Sequence, residues 1–467
     1  MGFVLGILYF VIYYLTPSYL LGAIAEETRI QVVIAVLIIL ISILPLLRSF
    51  TVKTPQALAL FGLGLAVMLS LFFGMHWISG GIAAFLSFIP NALAYFIICL
   101  HCTTKRRIQV VVMMMMFVCL FVAVHGYMDL RNGVADGPPP GVGIDEAIRS
   151  GATASPYLTR QMNQTGEWIY RLQGLGEVND ANDYGQLLVT VIPLSFIFWR
   201  PGKTITNFLF VVVPVAGMLF AMFLTHSRGS LLALTAVALV ASRRRIGTVP
   251  AAILAGVLFI AANALHFTGG RDISASAGED RTALWGQGMA AVKSHPLWGV
   301  GYSHLYEYTD NHLTAHNSII VCASELGLFG FYFWSLFLFP TFMDALRLAS
   351  PDKVIESVPT AIEQESPFAP RKRSLEQLDK TEINRLGRIV LLSLVGFLVT
   401  GWFLSRAFVL TLFLIGGLVE AVYQMALQRG MIEPRPPFLR VVRQAAIGAA
   451  ILITTMYILV RILNFVH

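Results

Sequence analysis

Long apolar stretches recur from one end of the chain to the other. A helix needs about 20 residues to cross the hydrocarbon core of a membrane, and a spanning backbone must satisfy its own polar groups as a helix or in a closed barrel. We therefore predict an all-α, polytopic transmembrane helical bundle of about 12–13 spans. The predicted spans are residues 2–19, 30–47, 55–74, 80–100, 108–127, 184–199, 205–224, 229–241, 247–266, 317–340, 388–403, 407–424 and 440–463.

The charge composition agrees with a membrane protein. The 467 residues are 56% hydrophobic and 13% charged, whereas soluble domains carry about 25% charged residues. In a soluble protein the formal net charge of +7 would suggest nucleic acid as a partner. Here lysine and arginine collect in short loops, where they orient helices. We expect membrane lipids, and no nucleic acid, among the partners.

Short basic loops alternate with short loops that are nearly free of lysine and arginine. The basic loops follow the second, fourth, sixth and eighth predicted spans, and they contain Arg48 and Lys53, residues 105–107, Arg200 and Lys203, and residues 243–245. Since basic loops stay in the cytoplasm, this alternation predicts a cytoplasmic N-terminus. It also places two long loops, residues 128–183 and 267–316, on the outer side.

On this topology the chain divides into seven segments. Transmembrane helices are predicted in residues 1–127, 184–266, 317–340 and 388–467, large outer loops in 128–183 and 267–316, and a cytoplasmic loop in 341–387. The second outer loop carries the candidate catalytic motif. Gly2 to Leu21 has neither a basic leader nor a small-residue cleavage site, so we expect a retained helix rather than a removed signal peptide.

Both outer loops are expected to contain short helices. Residues 143–173 have helix-compatible composition, and their Trp168 and Tyr170 favour the membrane interface, so we predict a helix lying on the outer leaflet. Residues 283–292 predict a helix in the second loop, which His295-Pro296 ends.

The cysteines do not indicate a metal site. Cys99 and Cys102 form a lone C-x-x-C without a second pair, which argues against zinc. We expect the four cysteines to be buried small hydrophobic residues; they are Cys99, Cys102, Cys119 and Cys322.

Two arginines and a histidine are predicted at the outer face. Arg228 lies at the junction between two spans, Arg281 lies in the second outer loop, and His316 lies at the mouth of the tenth span. Taken singly, an arginine can extend to lipid phosphate and a histidine can form structural hydrogen bonds. Together they suit the binding of a diphosphate, with the histidine as a general base.

Three ordered segments, within about residues 171–335, carry a family resemblance. The most specific contains Arg281-x-x-Leu284-Trp285, His295-Pro296-Leu297-x-Gly299-Val300-Gly301, Ala315-His316-Asn317-Ser318 and Glu325-Leu326-Gly327-Leu328-x-Gly330. The others are Ser227-Arg228-Gly229-Ser230-Leu231-Leu232-Ala233-Leu234 and the stretch from Gly174 to Asp183, in which Ala181 replaces a usual proline. They resemble the O-antigen ligase and O-antigen polymerase superfamily of membrane glycosyltransferases, which depend on polyprenyl-diphosphate glycans.

The resemblance implies a role for each candidate residue. Arg228 and Arg281 are implied to hold the donor diphosphate, and His316 to be the catalytic base that takes the proton from an acceptor hydroxyl. Further donor contacts are expected from Arg171 and Arg160 in the first outer loop. Two residues, Asn317 and Glu325, are expected to support the site, and Glu325 is expected to be a buried polar anchor.

The reaction implied by the resemblance is transfer of a glycan from undecaprenyl diphosphate to an acceptor hydroxyl, by direct displacement with inversion. For an O-antigen ligase the acceptor is lipid A–core, and the site faces the periplasm from the bacterial inner membrane. Neither a cofactor nor a metal is implied. A polymerase or a protein O-oligosaccharyltransferase of the same superfamily fits the same motif, because a glycan repeat and a protein side chain also present a hydroxyl.

Two other classes of function stay open from sequence. A lipid-linked glycan transporter would also need many spans, although the polar residues crowd the outer mouth and no paired, interrupted helices are evident in two halves of the chain. A non-catalytic assembly protein would not need Arg228, Arg281 and His316.

Overall fold

The computed structural model describes residues 2–15, 30–48, 54–132, 155–162, 168–264, 267, 275–310, 312–355 and 379–465. Over these residues the chain forms helices and one small sheet. The helices are α1 (Gly2–Leu15), α2 (Ile30–Arg48), α3 (Pro55–Gly74), α4 (Ile78–His101), α5 (Lys105–Arg131), α6 (Ala181–Ser195), α7 (Thr204–Thr225), α8 (Arg228–Ile246), α9 (Thr248–Ala264), α10 (Ala275–Ser294), α11 (Ser318–Ala349), α12 (Lys380–Gly401), α13 (Leu410–Gln428) and α14 (Phe438–Phe465). The strands are β1 (Leu158–Met162) and β2 (Trp168–Leu172).

Within the described residues, every predicted span overlaps a helix. Among the described residues, eight helices are long and apolar enough to cross a membrane: α3, α4, α5, α7, α11, α12, α13 and α14. Shorter apolar helices occupy Gly2–Leu15, Val33–Ser42 and Thr248–Ala262. Helix α8 is outside both groups, because its 19 residues include Arg228 and three arginines in the last turn. The predicted fold class, an all-α polytopic membrane bundle, is confirmed.

The chain forms two compact units. The first contains Met1–Leu40, Val110–Asp280 and Leu392–Arg406, and α6 lies at its centre. Almost every residue of α6 is buried. Gly185 of α6 permits a close approach to α8, since a Cβ there would lie 2.2 Å from the Ser230 hydroxyl. On another side the Ser393 hydroxyl donates to the Thr190 carbonyl at 2.8 Å, which joins α12 to α6.

The second unit contains Ile41–Gln109, Arg281–Leu391 and Ala407–His467. Helix α13 lies at its centre, and 89% of its most apolar 18-residue stretch is buried. In α14 only 17% of the equivalent stretch is buried. Two adjacent glycines bring α13 close to its neighbours, because Gly416 faces Phe337 of α11 and Gly417 faces Ile98 of α4. Most of the surface of α14 is therefore left uncovered by the rest of the described chain.

The expectation of a helix over residues 143–173 is wrong for residues 158–162 and 168–172. Strands β1 and β2 pair in antiparallel register there, with Leu158 opposite Leu172 and Arg160 opposite Tyr170. The stretch from Trp168 to Tyr170 is aromatic and β-branched, a composition that suits a pleated strand. Residues 143–154 and 163–167 lie outside the described residues.

Helix α11 continues beyond the predicted end of the tenth span at residue 340, as far as Ala349. The added turns bury Ala345 and Leu348 completely. They also hold the buried Asp344, which pairs with Arg435 at 2.7 Å in the second unit. The helix thus continues past the apolar run, where the polar Asp344 is paired with Arg435. Three of the cysteines are buried as expected, and Cys99 is half-buried.

Candidate functional site

Arg228 is the first residue of α8, in the first unit. The preceding His226 has left-handed backbone geometry, with φ of 49°, and ends α7. Ser227 caps α8 by accepting a hydrogen bond from the Ser230 amide at 3.4 Å. The Arg228 side chain is half-buried. A cation at a helix N-terminus opposes the helix dipole, so its position is electrostatically favourable only when an anion is nearby.

Arg171 is hydrogen-bonded to the turn between α7 and α8. It is only 3% exposed, and its Nε donates to the carbonyl of Thr225 at 2.8 Å. Its Nη1 donates to Gln161 of β1 at 2.8 Å, and its Nη2 donates to Asn182 of α6 at 2.9 Å. One guanidinium thus joins the hairpin, α6 and the turn that leads into Arg228.

Arg160 lies across the hairpin from Tyr170. Its guanidinium stacks over the Trp168 ring, 4.1 Å from the ring centroid, which is close enough for a cation–π interaction. The Arg160 Nε is buried and has no hydrogen-bond partner among the described residues. This leaves a buried donor for an incoming acceptor group.

The first unit also contains an ion pair that the sequence did not predict. Arg406, in the segment between α12 and α13, pairs with the buried Asp183 of α6. Burial acts to lower the pKa of the Arg406 guanidinium, but the neighbouring Asp183 carboxylate raises it, and the net shift is upward. The signal in the sequence was a lone arginine in the short segment between two predicted spans, 388–403 and 407–424.

His316 lies just before α11, in the second unit. Its backbone is left-handed, with φ of 47°, and its side chain is half-buried. The next residue, Asn317, is fully buried and caps α11, because its Oδ1 accepts the amides of Ile319 at 3.0 Å and Ile320 at 3.2 Å. Asn317 thus fixes the start of the helix beside His316, and its supporting role in the site stays a prediction.

Arg281 lies near the start of α10, one helical turn before Trp285. The Trp285 indole donates to the carbonyl of Ala315 at 2.8 Å, directly before His316. Residues four apart share one face of a helix, so the face of α10 that bears Arg281 is the face that contacts the His316 segment. The Arg281 side chain is half-buried.

Helix α11 is interrupted at Gly327, where φ is 63° and ψ is −172°. The segment from Pro296 to Gly301 fits into this interruption through four backbone hydrogen bonds. They join Val300 to Ser324 at 2.9 Å, Gly301 to Glu325 at 3.1 Å, Leu328 to Pro296 at 2.8 Å and Phe329 to Leu297 at 3.3 Å. Two motifs that are separate in the sequence therefore form one structural unit.

Glu325 completes this arrangement. Its carboxylate is buried, with 4% of the residue exposed, and faces the backbone of Ser303 and Leu305. The carboxylate therefore lies against the loop that follows Gly301. Glu325 is buried, as a polar anchor would be, but it faces a loop backbone rather than another helix. Its supporting role stays a prediction.

The described residues thus form a multi-pass membrane protein with polar motifs fixed at the starts of two helices, one in each unit. They contain no group of three His, Cys, Asp or Glu side chains placed to hold a metal ion. Residues 213–335 match the family model described as O-Antigen ligase. That segment contains Arg228, Arg281 and His316, and the match supports the predicted membership in the O-antigen ligase superfamily. No curated protein matches the chain.

Proposed function

We propose that the protein is an O-antigen ligase-like membrane glycosyltransferase. It transfers a glycan from undecaprenyl diphosphate to an acceptor hydroxyl, with lipid A–core as the acceptor. The observation that carries this proposal is the family match over residues 213–335, which includes the two arginines and the histidine in motif order.

The arginines serve the leaving group. As the bond from the anomeric carbon to the diphosphate oxygen breaks, the diphosphate takes the electron pair and its negative charge grows. Fixed guanidinium groups stabilise that growing charge more than the ground state. The position of Arg228 at the positive end of α8 supports this role, because a bound anion would relieve the unfavourable contact between its cation and the helix dipole.

His316 serves the acceptor. The acceptor hydroxyl gives its proton to the imidazole, and its oxygen attacks the anomeric carbon on the face opposite the leaving diphosphate, so the configuration inverts. A positioned base contributes about 10²–10⁴-fold to such a step. The cap formed by Asn317 and the bond from Trp285 to Ala315 support this role, because they fix the backbone on both sides of His316.

Arg171 acts as a positioning residue in this proposal. Its three hydrogen bonds and its burial favour an indirect role, through the turn that presents Arg228. Arg160 is the better candidate for a further contact with the glycan donor. Its Nε is a buried hydrogen-bond donor without a partner among the described residues.

We place this site on the periplasmic side of the bacterial inner membrane. The alternation of basic and neutral short loops supports this orientation. The cluster Arg243, Arg244 and Arg245 lies at the far end of α8 from Arg228, and basic loops are cytoplasmic. The same reasoning puts the start of α11 on the outer side.

The test is transfer by the purified protein. It is given a polyprenyl-diphosphate glycan with lipid A–core, a glycan repeat or a hydroxyl-bearing peptide as acceptor, and free polyprenyl diphosphate is measured. The proposal predicts release with lipid A–core. Release that occurs only with a glycan repeat or a peptide would instead identify a polymerase or a protein oligosaccharyltransferase.

His316→Ala should abolish release while donor binding persists. The matched control is His312→Ala, because His312 lies in the same segment, is exposed and also has left-handed geometry, with φ of 50°. Full activity of His316→Ala at neutral pH would refute the base assignment. Movement of the donor across a vesicle membrane without bond cleavage would identify a transporter.

A further inference from the structure

A cavity of about 300 Å³ lies between α10 and the end of α14, within the second unit. Its size is at the lower end of pockets that hold small ligands, about 300–1,000 Å³. Neither Arg281 nor Trp285, which contacts the His316 segment, is among the residues that line the cavity, although Met289 and Lys293 follow Trp285 at helical spacing. It is therefore separate from the proposed catalytic residues, although one helix carries both.

The polar groups that line this cavity are hydrogen-bond donors or cations. Lys293 lies over the Tyr457 ring, with its Nζ 4.8 Å from the ring centroid. Arg461 places Nη1 at 3.3 Å from the Tyr457 hydroxyl. Asn464 donates to the Thr282 carbonyl at 3.1 Å, and this anchors the end of α14 on α10. Among the residues that the structure describes, those that line the cavity include two cations and no carboxylate.

The contact between the two helices depends on Gly286. A Cβ at that position would lie 2.9 Å from the Asn464 amide nitrogen, so glycine allows α14 to approach α10 closely. Met289 and Val460 are 5% and 4% exposed and form an apolar floor. The cavity thus has an apolar base and a rim of two exposed cations.

The position of the cavity identifies the class of ligand. Helix α14 is a membrane-spanning helix that exposes Ile451, Ile458 and Ile462 by more than half, so this side of the protein faces lipid chains. Arg461 and Lys293 lie at one end of that apolar face. Lipid phosphates concentrate at this level, and each basic residue near the surface of an anionic membrane contributes about 1 kcal/mol of attraction.

We propose that Lys293 and Arg461 form a binding site for the phosphate group of an anionic membrane lipid, whose chains lie along the exposed face of α14. The arginine suits the fork geometry of phosphate oxygens, and the lysine adds a point charge. The apolar floor accommodates the glycerol or sugar portion that joins phosphate to chains. This site goes beyond the donor-diphosphate site, and its existence does not depend on transferase activity.

The test is lipid binding to the full-length protein in neutral detergent, measured by native mass spectrometry. The probes are phosphatidylglycerol, a lipid A-type diphosphorylated disaccharide, zwitterionic phosphatidylcholine, and inorganic phosphate as competitor. We expect the two anionic lipids to bind more tightly than phosphatidylcholine. The double variant Lys293→Gln with Arg461→Gln should weaken anionic-lipid binding about 30-fold, which corresponds to two surface charges.

The matched control is Lys203→Gln with Arg245→Gln, which removes two exposed cations that do not line the cavity and should change binding by less than about twofold. The exchange Lys293→Arg with Arg461→Lys preserves both charges and should retain most of the affinity, which separates charge loss from misfolding. Equal binding by the double glutamine variant and the native protein would overturn the proposal. Displacement of the lipid by equimolar inorganic phosphate would overturn its lipid component.

The relative affinity of the two anionic probes identifies the physiological ligand. Tighter binding of the lipid A-type probe would indicate a subsite for phosphorylated acceptor lipids, and tighter binding of phosphatidylglycerol would indicate a site for bulk anionic phospholipid. Both results support the phosphate site. Because the readout is binding, the failure of this proposal and the failure of the proposed glycosyl transfer are distinguishable.

Discussion

Gly327→Ala should destabilise the second unit strongly, because the interruption of α11 requires glycine. The observed φ of 63° and ψ of −172° fall in a region that is essentially restricted to glycine, and occupancy by another residue costs about 1–3 kcal/mol. A Cβ would also lie 2.3 Å from the Leu297 carbonyl oxygen. That oxygen accepts the Phe329 amide, so the added methyl group must separate the segments that this bond joins.

The expected magnitude follows from these two effects. Loss of the bonds from Phe329 to Leu297 and from Leu328 to Pro296 costs about 1 kcal/mol each. Together with the backbone strain, the total is about 3–5 kcal/mol. The same change should reduce glycosyl transfer, because the helix that carries His316 at its start is the helix that is disturbed.

Two other glycines provide matched controls for this experiment. Gly202 has φ of 75°, and a Cβ there would have nothing within 4 Å, so Gly202→Ala isolates the conformational cost, about 1–2 kcal/mol. Gly256 is helical with open space around it, so Gly256→Ala should be neutral or stabilising by up to about 1 kcal/mol. Apparent unfolding midpoints in detergent should rank Gly256→Ala highest, then Gly202→Ala, then Gly327→Ala. A Gly327→Ala midpoint equal to that of Gly202→Ala would refute the docking of residues 296–301 as the source of the extra cost.

Three further predictions concern the proposed chemistry. Arg228→Ala and Arg281→Ala should each raise the donor concentration needed for half-maximal transfer. Lysine at either position should restore only part of the lost donor affinity, because it lacks the bidentate fork of arginine. Unchanged turnover across a donor titration would exclude the residue as a diphosphate ligand. Arg171→Lys should lower turnover and the unfolding midpoint together, whereas weaker donor binding at an unchanged midpoint would mark Arg171 as a direct ligand. Chelator should leave transfer unchanged, because the proposed site supplies cations from arginine; loss of activity that a divalent ion restores would indicate a metal-dependent enzyme.

The positions of the helices were largely predictable, because hydropathy reports which segments enter lipid. Their ends were less predictable. Helix α11 continues to Ala349 because Asp344 finds a buried partner in Arg435, and no local pattern in the sequence records a partner 91 residues away. The hairpin of β1 and β2 was missed for a similar reason, since its two strands stabilise each other only after they pair.

The candidate residues were predictable as types and positions, but their supporting contacts were not. The sequence placed His316 at a helix mouth and Asn317 beside it, and the structure adds the cap that Asn317 forms. The docking of residues 296–301 into the interruption at Gly327 depends on backbone hydrogen bonds, which carry no side-chain signature. The glycines were the only signal of this docking in the sequence. Gly299 and Gly327 each occupy a position where a Cβ would lie 2.3 Å from backbone.

We propose that Arg228, Arg281 and His316 all face the outer side of the membrane and that all three serve transfer from the donor diphosphate. The most direct test places single cysteines at these three positions, after replacement of the four native cysteines. A membrane-impermeant thiol reagent is then applied to intact spheroplasts and, separately, to purified protein with and without polyprenyl diphosphate.

We expect all three cysteines to be labelled from outside and the diphosphate lipid to slow labelling at each position. A cysteine at a distant exposed site, Lys203→Cys, should be labelled only after the membrane is broken and should not respond to the lipid. If the cysteine at 228 reacts only after lysis while those at 281 and 316 react from outside, or if the lipid protects none of them, the shared diphosphate site is contradicted.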